Sequence, residues 1–218
     1  MKSRSTTDTM RIAIVDYRMG NLQSVKNAFG FLGFDALITE KPADIACADV
    51  VVLPGVGAFG EAMRNLRRQD LIKPLADQVL ERKVPFLGIC LGMQLLSEWS
   101  DENGNHEGLG WLPGHVRRIP DGEGVRVPHV GWNSTVITRA DPLFHGFEGD
   151  PDFYYVHSYH VEVDADYVSA QCLYGQRLTA SVNHANIRAV QFHPEKSQFN
   201  GLRLLRNFMN LSQAAHRA

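Results

Sequence analysis

The sequence predicts an α/β fold: a single domain with a mostly parallel wound sheet, helices on both faces, and a β-rich C-terminal half. Three observations lead there. In the first hundred residues, short apolar runs alternate with segments of helical periodicity, which is the pattern of parallel βαβ units. After about residue 100 the texture changes to short β-like pieces separated by turn residues. No linker and no internal repeat divides the 218 residues, and 44% of them are hydrophobic, enough for one sizeable core.

Taken in order, Arg11 to Asp16 (RIAIVD) reads as a buried strand. From Asn21 to Leu32, apolar residues at Leu22, Val25, Ala28, Phe29 and Leu32 have helical spacing, and Gly33 follows as a stop signal. Asp49 to Leu53 (DVVVL) is a second buried strand that ends at Pro54-Gly55. Ala58 to Leu66 and Leu71 to Arg82 read as helices, with Pro74 in an early turn of the second. Phe86 to Ile89 is another strand, and Leu91 to Trp99 another helix. Asp101 to Gly110 reads as loop. Val116 to Ile119, Phe153 to Tyr159, Val168 to Leu173, Leu178 to Asn183 and Ile187 to Phe192 read as strands, and Gly201 to Leu211 as a closing helix. The domain is expected over residues 11–213. Residues 1–10 are polar, lack the apolar stretch of a secretory signal, and are expected to be a flexible extension.

Composition narrows the function. Lys plus Arg total 22 against 24 Asp plus Glu, a formal net charge of −2, so there is no support for nucleic-acid binding, which needs a basic stripe. No apolar run approaches the roughly 20 residues of a membrane span. The three cysteines, Cys47, Cys90 and Cys172, include no C-x-x-C pair. They argue against a disulfide framework and for a reducing cytoplasm.

Chemistry concentrates in two stretches. Gly88-Ile-Cys-Leu-Gly92 has the G-x-nucleophile-x-G form at a strand-to-helix junction, the geometry of a nucleophile elbow. Taken alone, Cys90 serves either as a small core residue or as a thiol held for attack. In the second role the start of the following helix favours thiolate, and the Leu91 amide faces an oxyanion formed on attack. Gln191-Phe-His-Pro-Glu195 supplies a base. Pro194 biases His193 to an extended backbone, which places His193 and Glu195 on one face, so that Glu195 can orient the imidazole. The order nucleophile, histidine, acid differs from that of the α/β-hydrolases. Gly55-Val-Gly-Ala-Phe-Gly60 matches G-x-G-x-x-G, with Asp77 near the distance of a ribose-binding acid. Pro54 opens that turn, however, and Asp77 falls within a helix. The turn reads better as a source of a second oxyanion amide than as a dinucleotide site. His157 and His160 have no metal-ligand spacing, so no metal and no cofactor are expected.

Together these motifs carry a family resemblance. GICLGMQ (88–94) with QFHPE (191–195) resembles the triad, or class I, glutamine amidotransferases. Residues 19–25 (MGNLQSV), 53–60 (LPGVGAFG), 108–111 (GLGW), 127–133 (VPHVGWN), 153–159 (FYYVHSY) and 191–198 (QFHPEKSQ) extend it over about 11–211. They narrow it to glutaminase subunits of imidazole glycerol phosphate synthase, which serve histidine biosynthesis. The resemblance implies Cys90 as nucleophile, His193 as general base and acid, and Glu195 as its orienting partner. It implies oxyanion amides at Val56 and Leu91, and glutamine contacts at Gly57, Gln94, His157, Ser158 and Tyr159. It also implies a heterodimer with a cyclase built as a (β/α)8 barrel, which receives the ammonia. One residue departs from the pattern: Arg18 stands where the family has a glycine in D-Y-G-x-G-N. Arginine takes a positive φ at a penalty that glycine escapes. The departure keeps open a paralogous glutaminase that feeds a different synthase, such as a sugar amidotransferase.

Overall fold

The structure, a computed structural model, describes residues 10–122 and 124–217. The extension expected at residues 1–10 lies outside the described residues, Met10 excepted.

Successive strand residues point to opposite faces, and here both faces are apolar. In β1 (Ile12–Val15), Ile12 and Ile14 join one core and Ala13 and Val15 the other. The chain continues with α1 (Leu22–Phe31), β2 (Ala36–Thr39), α2 (Pro42–Ala46), β3 (Val50–Gly55), α3 (Phe59–Arg68) and α4 (Ile72–Ala76). A π turn over Asp77–Glu81, β4 (Phe86–Cys90) and α5 (Leu91–Gln94) complete the first half. Then come β5 (Trp99–Ser100), β6 (His106–Glu107), β7 (Gly114–Arg118), β8 (His129–Ile137), β9 (Asp152–His157) and β10 (Tyr159–Val163). The chain closes with β11 (Val168–Tyr174), β12 (Gln176–His184), β13 (Ile187–Val190) and α6 (Gln198–Arg217).

The main sheet has nine strands in the order β2-β1-β3-β4-β13-β12-β11-β8-β9. From β2 to β13 all neighbours are parallel. From β13 to β9 all are antiparallel. The wound parallel character therefore belongs to one half of a mixed sheet. Apolar residues of α1 and α6 cover one face, through Val25, Phe29, Leu205 and Phe208. Those of α3 and α4 cover the other, through Phe59, Met63, Leu66 and Leu75. A four-stranded sheet, β10-β7-β5-β6, stands beside it.

Four local differences from the sequence reading have physical causes. The helix expected from Leu91 to Trp99 stops at Gln94. Backbone amides of Gly108, Leu109, Gly110 and Trp111 take the carbonyls of Glu98, Leu95, Ser97 and Leu96, so a helical ladder cannot continue there. β2 and α2 went unread because each is four or five residues long. β8 also went unread, because its pattern is broken by Gly131, Asn133 and Ser134 and only His129 and Thr135 of its nine residues are buried. The strand expected over Phe153 to Tyr159 is divided at Ser158 between β9 and β10, which pair in different sheets.

Candidate active site

Cys90 ends β4 and precedes the single turn of α5, with φ 54° and ψ −108°. A residue with a Cβ is strained there, and such strain collects at functional sites. The flanking glycines are required by close approach. A Cβ on Gly92 would lie 1.7 Å from the Leu53 carbonyl oxygen, and one on Gly88 would lie 2.9 Å from that of Gly92. The elbow is thus wedged against β3 and leaves the thiol at the mouth of a cleft, with Cys90 5% exposed. Because α5 is one turn long, the helix dipole expected beside the sulfur is small. The positive charge comes from elsewhere.

It comes from β13. That strand pairs in parallel with β4, Val190 opposite Ile89, so the chain leaving β13 runs past Cys90. Gln191 donates from Nε2 to the Cys90 sulfur at 3.6 Å. Two residues later, His193 Nδ1 meets Glu195 Oε1 at 2.7 Å, with both side chains almost wholly buried at 3% and 4% exposure. Burial alone would strip the His193 proton. The neighbouring Cys90 sulfur and Glu195 carboxylate outweigh it and raise the imidazole to about 10. His193 Nε2 is buried and interacts with the Cys90 sulfur without closing a well-formed hydrogen bond to it. Catalytic contacts are commonly loose before substrate arrives. The cysteine and imidazole encoded a hundred residues apart thus stand together.

The cleft encloses about 340 Å³. Eight of the residues singled out by sequence line it: Val56, Gly57, Cys90, Leu91, Gln94, His157, Ser158 and Tyr159. His193 and Glu195 stand behind the sulfur instead. Gly55 pairs with Cys90 across β3 and β4, so Val56 and Leu91 each begin the segment leaving a neighbouring strand end. Gly57 has φ +115°, the region that favours glycine. Gln94 Nε2 donates to the Tyr159 carbonyl at 2.9 Å and to Gln191 Oε1 at 3.1 Å. Both ring nitrogens of His157 are already engaged, Nδ1 with the Tyr159 carbonyl at 2.9 Å and Nε2 with His129 at 3.0 Å. His157 therefore shapes the wall and has no ring nitrogen free for a ligand.

Arg18 does adopt φ 67°. Its amide bonds Asp16 Oδ1 at 2.8 Å, and its guanidinium reaches Glu40 at 3.7 Å on the surface rather than lining the cleft. Asp77 pairs with Lys73 at 2.5 Å on the outside of the molecule, which removes the acid that a dinucleotide fingerprint would need. Among the described residues, no cluster of three or more His, Cys, Asp or Glu side chains could hold a metal ion. No helix among them is long and apolar enough to cross a membrane.

Sequence reasoning missed Glu102, Gln191 and His129. Glu102 lines the cleft and accepts the Phe59 amide at 2.7 Å; burial raises its pKa, opposed by that amide and by His106. It sits in a stretch that reads as plain loop, so no local signal marks it. Gln191 lies inside the quoted motif and was passed over in favour of its histidine.

A strained thiol beside a buried imidazolium–carboxylate pair, with backbone amides at two strand ends, suits acyl transfer through a thioester. The comparisons agree: the family model described as Glutamine amidotransferase class-I matches residues 13–211, and the chain belongs to that family. Within it, the chain is similar to imidazole glycerol phosphate synthase subunit HisH 2 of Vibrio vulnificus, 48% identical over 202 residues, covering 92% of this chain and 94% of that protein. It is equally similar to subunit HisH of Methanothermobacter thermautotrophicus, 48% identical over 203 residues, covering 93% and 100%. The fold matches PurLQS from Thermotoga maritima with a TM-score of 0.71 at 20% identity, covering 93% of this chain and 99% of that one.

Proposed function

We propose that the chain hydrolyses glutamine to glutamate and ammonia, and passes the ammonia to a cyclase subunit that forms imidazole glycerol phosphate. The Cys90 sulfur attacks the side-chain amide carbon, forming a C–S bond and a tetrahedral oxyanion. The Val56 and Leu91 amides receive that charge, each such donor being worth about 10²–10³ in rate. His193 gives its proton to the leaving nitrogen, the C–N bond breaks, and ammonia departs. Water then loses a proton to His193, attacks the thioester, and releases glutamate and the thiolate. Glu195 orients the imidazole throughout. Gly57, Gln94, Ser158 and Tyr159 surround the substrate, and Glu102, the carboxylate in the cleft, suits its α-ammonium.

The observation that carries this reading is Cys90 at a strained elbow, opening on a cleft and backed by the buried His193–Glu195 pair. A docked acceptor, a (β/α)8 barrel by family resemblance, keeps the ammonia from protonation in water. Replacing Cys90 by alanine is expected to abolish ammonia release from glutamine, with or without the cyclase and its nucleotide substrate; retained turnover would remove Cys90 from the role. The strained, surface-directed Arg18 favours a second reading, a paralogous subunit that feeds another synthase. Co-purification from the native cell separates the two by the identity of the acceptor enzyme.

A further inference from the structure

The cleft wall formed by residues 156–159 is held from behind by two imidazoles in series. The Tyr159 carbonyl accepts from Gln94 Nε2 and from His157 Nδ1, each at 2.9 Å. A carbonyl only accepts, so His157 carries its proton on Nδ1 and keeps a lone pair on Nε2. That lone pair faces His129 Nδ1 at 3.0 Å. The far end of the chain gives the same polarity independently. Asn133 Nδ2 donates to the Leu173 carbonyl at 3.0 Å, which fixes its amide orientation, and it lies 3.3 Å from His129 Nε2. His129 Nε2 therefore accepts, and His129 Nδ1 carries the proton. The His129 ring is clamped between Tyr155 and Tyr174, with centroids at 4.9 and 3.9 Å and planes 19° and 21° apart.

We propose that His129, which does not itself line the cleft, is a positioning residue for the glutaminase site: its Nδ1–H fixes His157 as the Nδ1–H tautomer, and His157 thereby pins the Tyr159 carbonyl. The chain continues without a gap, through Gln94 Nε2 to Gln191 Oε1 at 3.1 Å and from Gln191 Nε2 to the Cys90 sulfur at 3.6 Å. A strand on the sheet's far side is thus joined to the nucleophile by a continuous polar path, in which the Tyr159 carbonyl accepts from both sides. Which proton His157 carries is set by what its other nitrogen meets. With no donor at position 129, His157 is free to move its proton to Nε2. Two lone pairs, on Nδ1 and on the Tyr159 carbonyl, then oppose each other, and the wall loses a tie beside the substrate. The kinetic part of this inference rests on the glutaminase reading; the tautomer part does not.

Nitrogen-15 NMR of the full-length chain at neutral pH reads the tautomer directly. The expected result is a protonated Nδ1 and a bare Nε2 at both His157 and His129. An Nε2–H tautomer or an imidazolium at His157 overturns the proposal. In parallel, His129→Phe keeps the ring stack and removes the donor. The glutamine KM is expected to rise about tenfold, the worth of one hydrogen bond, with kcat less affected. His129→Asn restores a donor near the place of the imidazole Nδ1 and is expected to recover most of that loss. Unchanged KM in His129→Phe, or equal loss in both variants, overturns the proposal. If the phenylalanine variant does not fold, the wild-type tautomer still decides. A wild-type chain with the expected tautomers and no glutamine turnover would instead sink the functional reading alone.

Discussion

On one side of the cleft His193 holds its proton, raised to about 10; on the other, His129 and His157 refuse one, pushed down to about 4 and about 3. All three are buried, so burial is not what separates them. Desolvation lowers every one. The difference lies in the neighbours. His193 meets the Cys90 sulfur and the Glu195 carboxylate, both of which favour its proton. His129 and His157 meet each other, a carbonyl, an amide and the rings of Tyr155 and Tyr174. The lesson is that one residue type gives a mobile proton or a fixed one according to whether a charge stands beside it. The elbow side sets the first beside a thiol, and the wall side uses the second for shape.

Removing an anion is the strongest way to break the contrast. Glu195→Gln keeps the shape of the His193 partner but takes away its charge and offers a donor where an acceptor is needed. Imidazole orientation and the stabilisation of imidazolium both suffer. We expect kcat for ammonia release to fall by up to about 10⁴, the loss seen when the acid of a serine triad becomes its amide. Steady-state ammonia production measures it. A loss below tenfold would show that the sulfur alone sets the state of His193.

The two sides also differ in how much of them the sequence discloses. The elbow is local. Gly88, Cys90 and Gly92 sit in one pentapeptide, and both glycines answer to clashes with backbone oxygen within the adjoining β3 and α5. The His-Pro-Glu run is local too, and its 2.7 Å bond joins residues two apart. What brings the two stretches together is the insertion of β13 beside β4, a pairing across a hundred residues that no periodicity announces. The wall is non-local throughout. His129 and Asn133, both on β8, reach His157 on β9 and Leu173 on β11. Glu102 enters from a loop whose place follows from the early end of α5. The parallel half of the sheet was legible for the same reason as the elbow, since β1, β3 and β4 are continuous apolar runs. β8, with two buried residues in nine and broken by polar residues, was not.

pH sharpens the comparison at an intermediate scale. His129 and His157 are neutral in the folded chain and protonate near pH 6.5 when unfolded. Their contribution is complete above 6.5. As pH falls toward 4 and then 3, the unfolded chain binds protons that the folded one refuses, and stability drops by about 1.4 kcal/mol per pH unit for each imidazole. His193 runs the other way. Its contribution is complete below 6.5 and is lost as pH rises toward about 10. Denaturant midpoints recorded between pH 4 and 6.5 should slope upward with pH. His129→Phe should flatten that slope by the share of one imidazole and leave the alkaline limb in place. An unchanged acid slope would mean that His129 takes up its proton in the folded state.

The smallest effect concerns the backbone that each side asks for. Cys90 is held at φ 54° and ψ −108°, where a Cβ is unfavourable and its absence is not. Replacement by alanine and replacement by glycine both remove the sulfur, with its contacts to Gln191 and His193. They differ only in the Cβ and in the freedom of the unfolded chain. In an ordinary helix or strand glycine is the less stable of the two by about 0.5–1 kcal/mol. At this elbow the order should invert, with Cys90→Gly more stable than Cys90→Ala by about 1 kcal/mol in denaturant unfolding. Neither variant should release ammonia. If alanine proves the more stable, the elbow relaxes without strain when the thiol is gone, and the sulfur's own contacts, rather than the wedge of Gly88 and Gly92, hold the turn in shape.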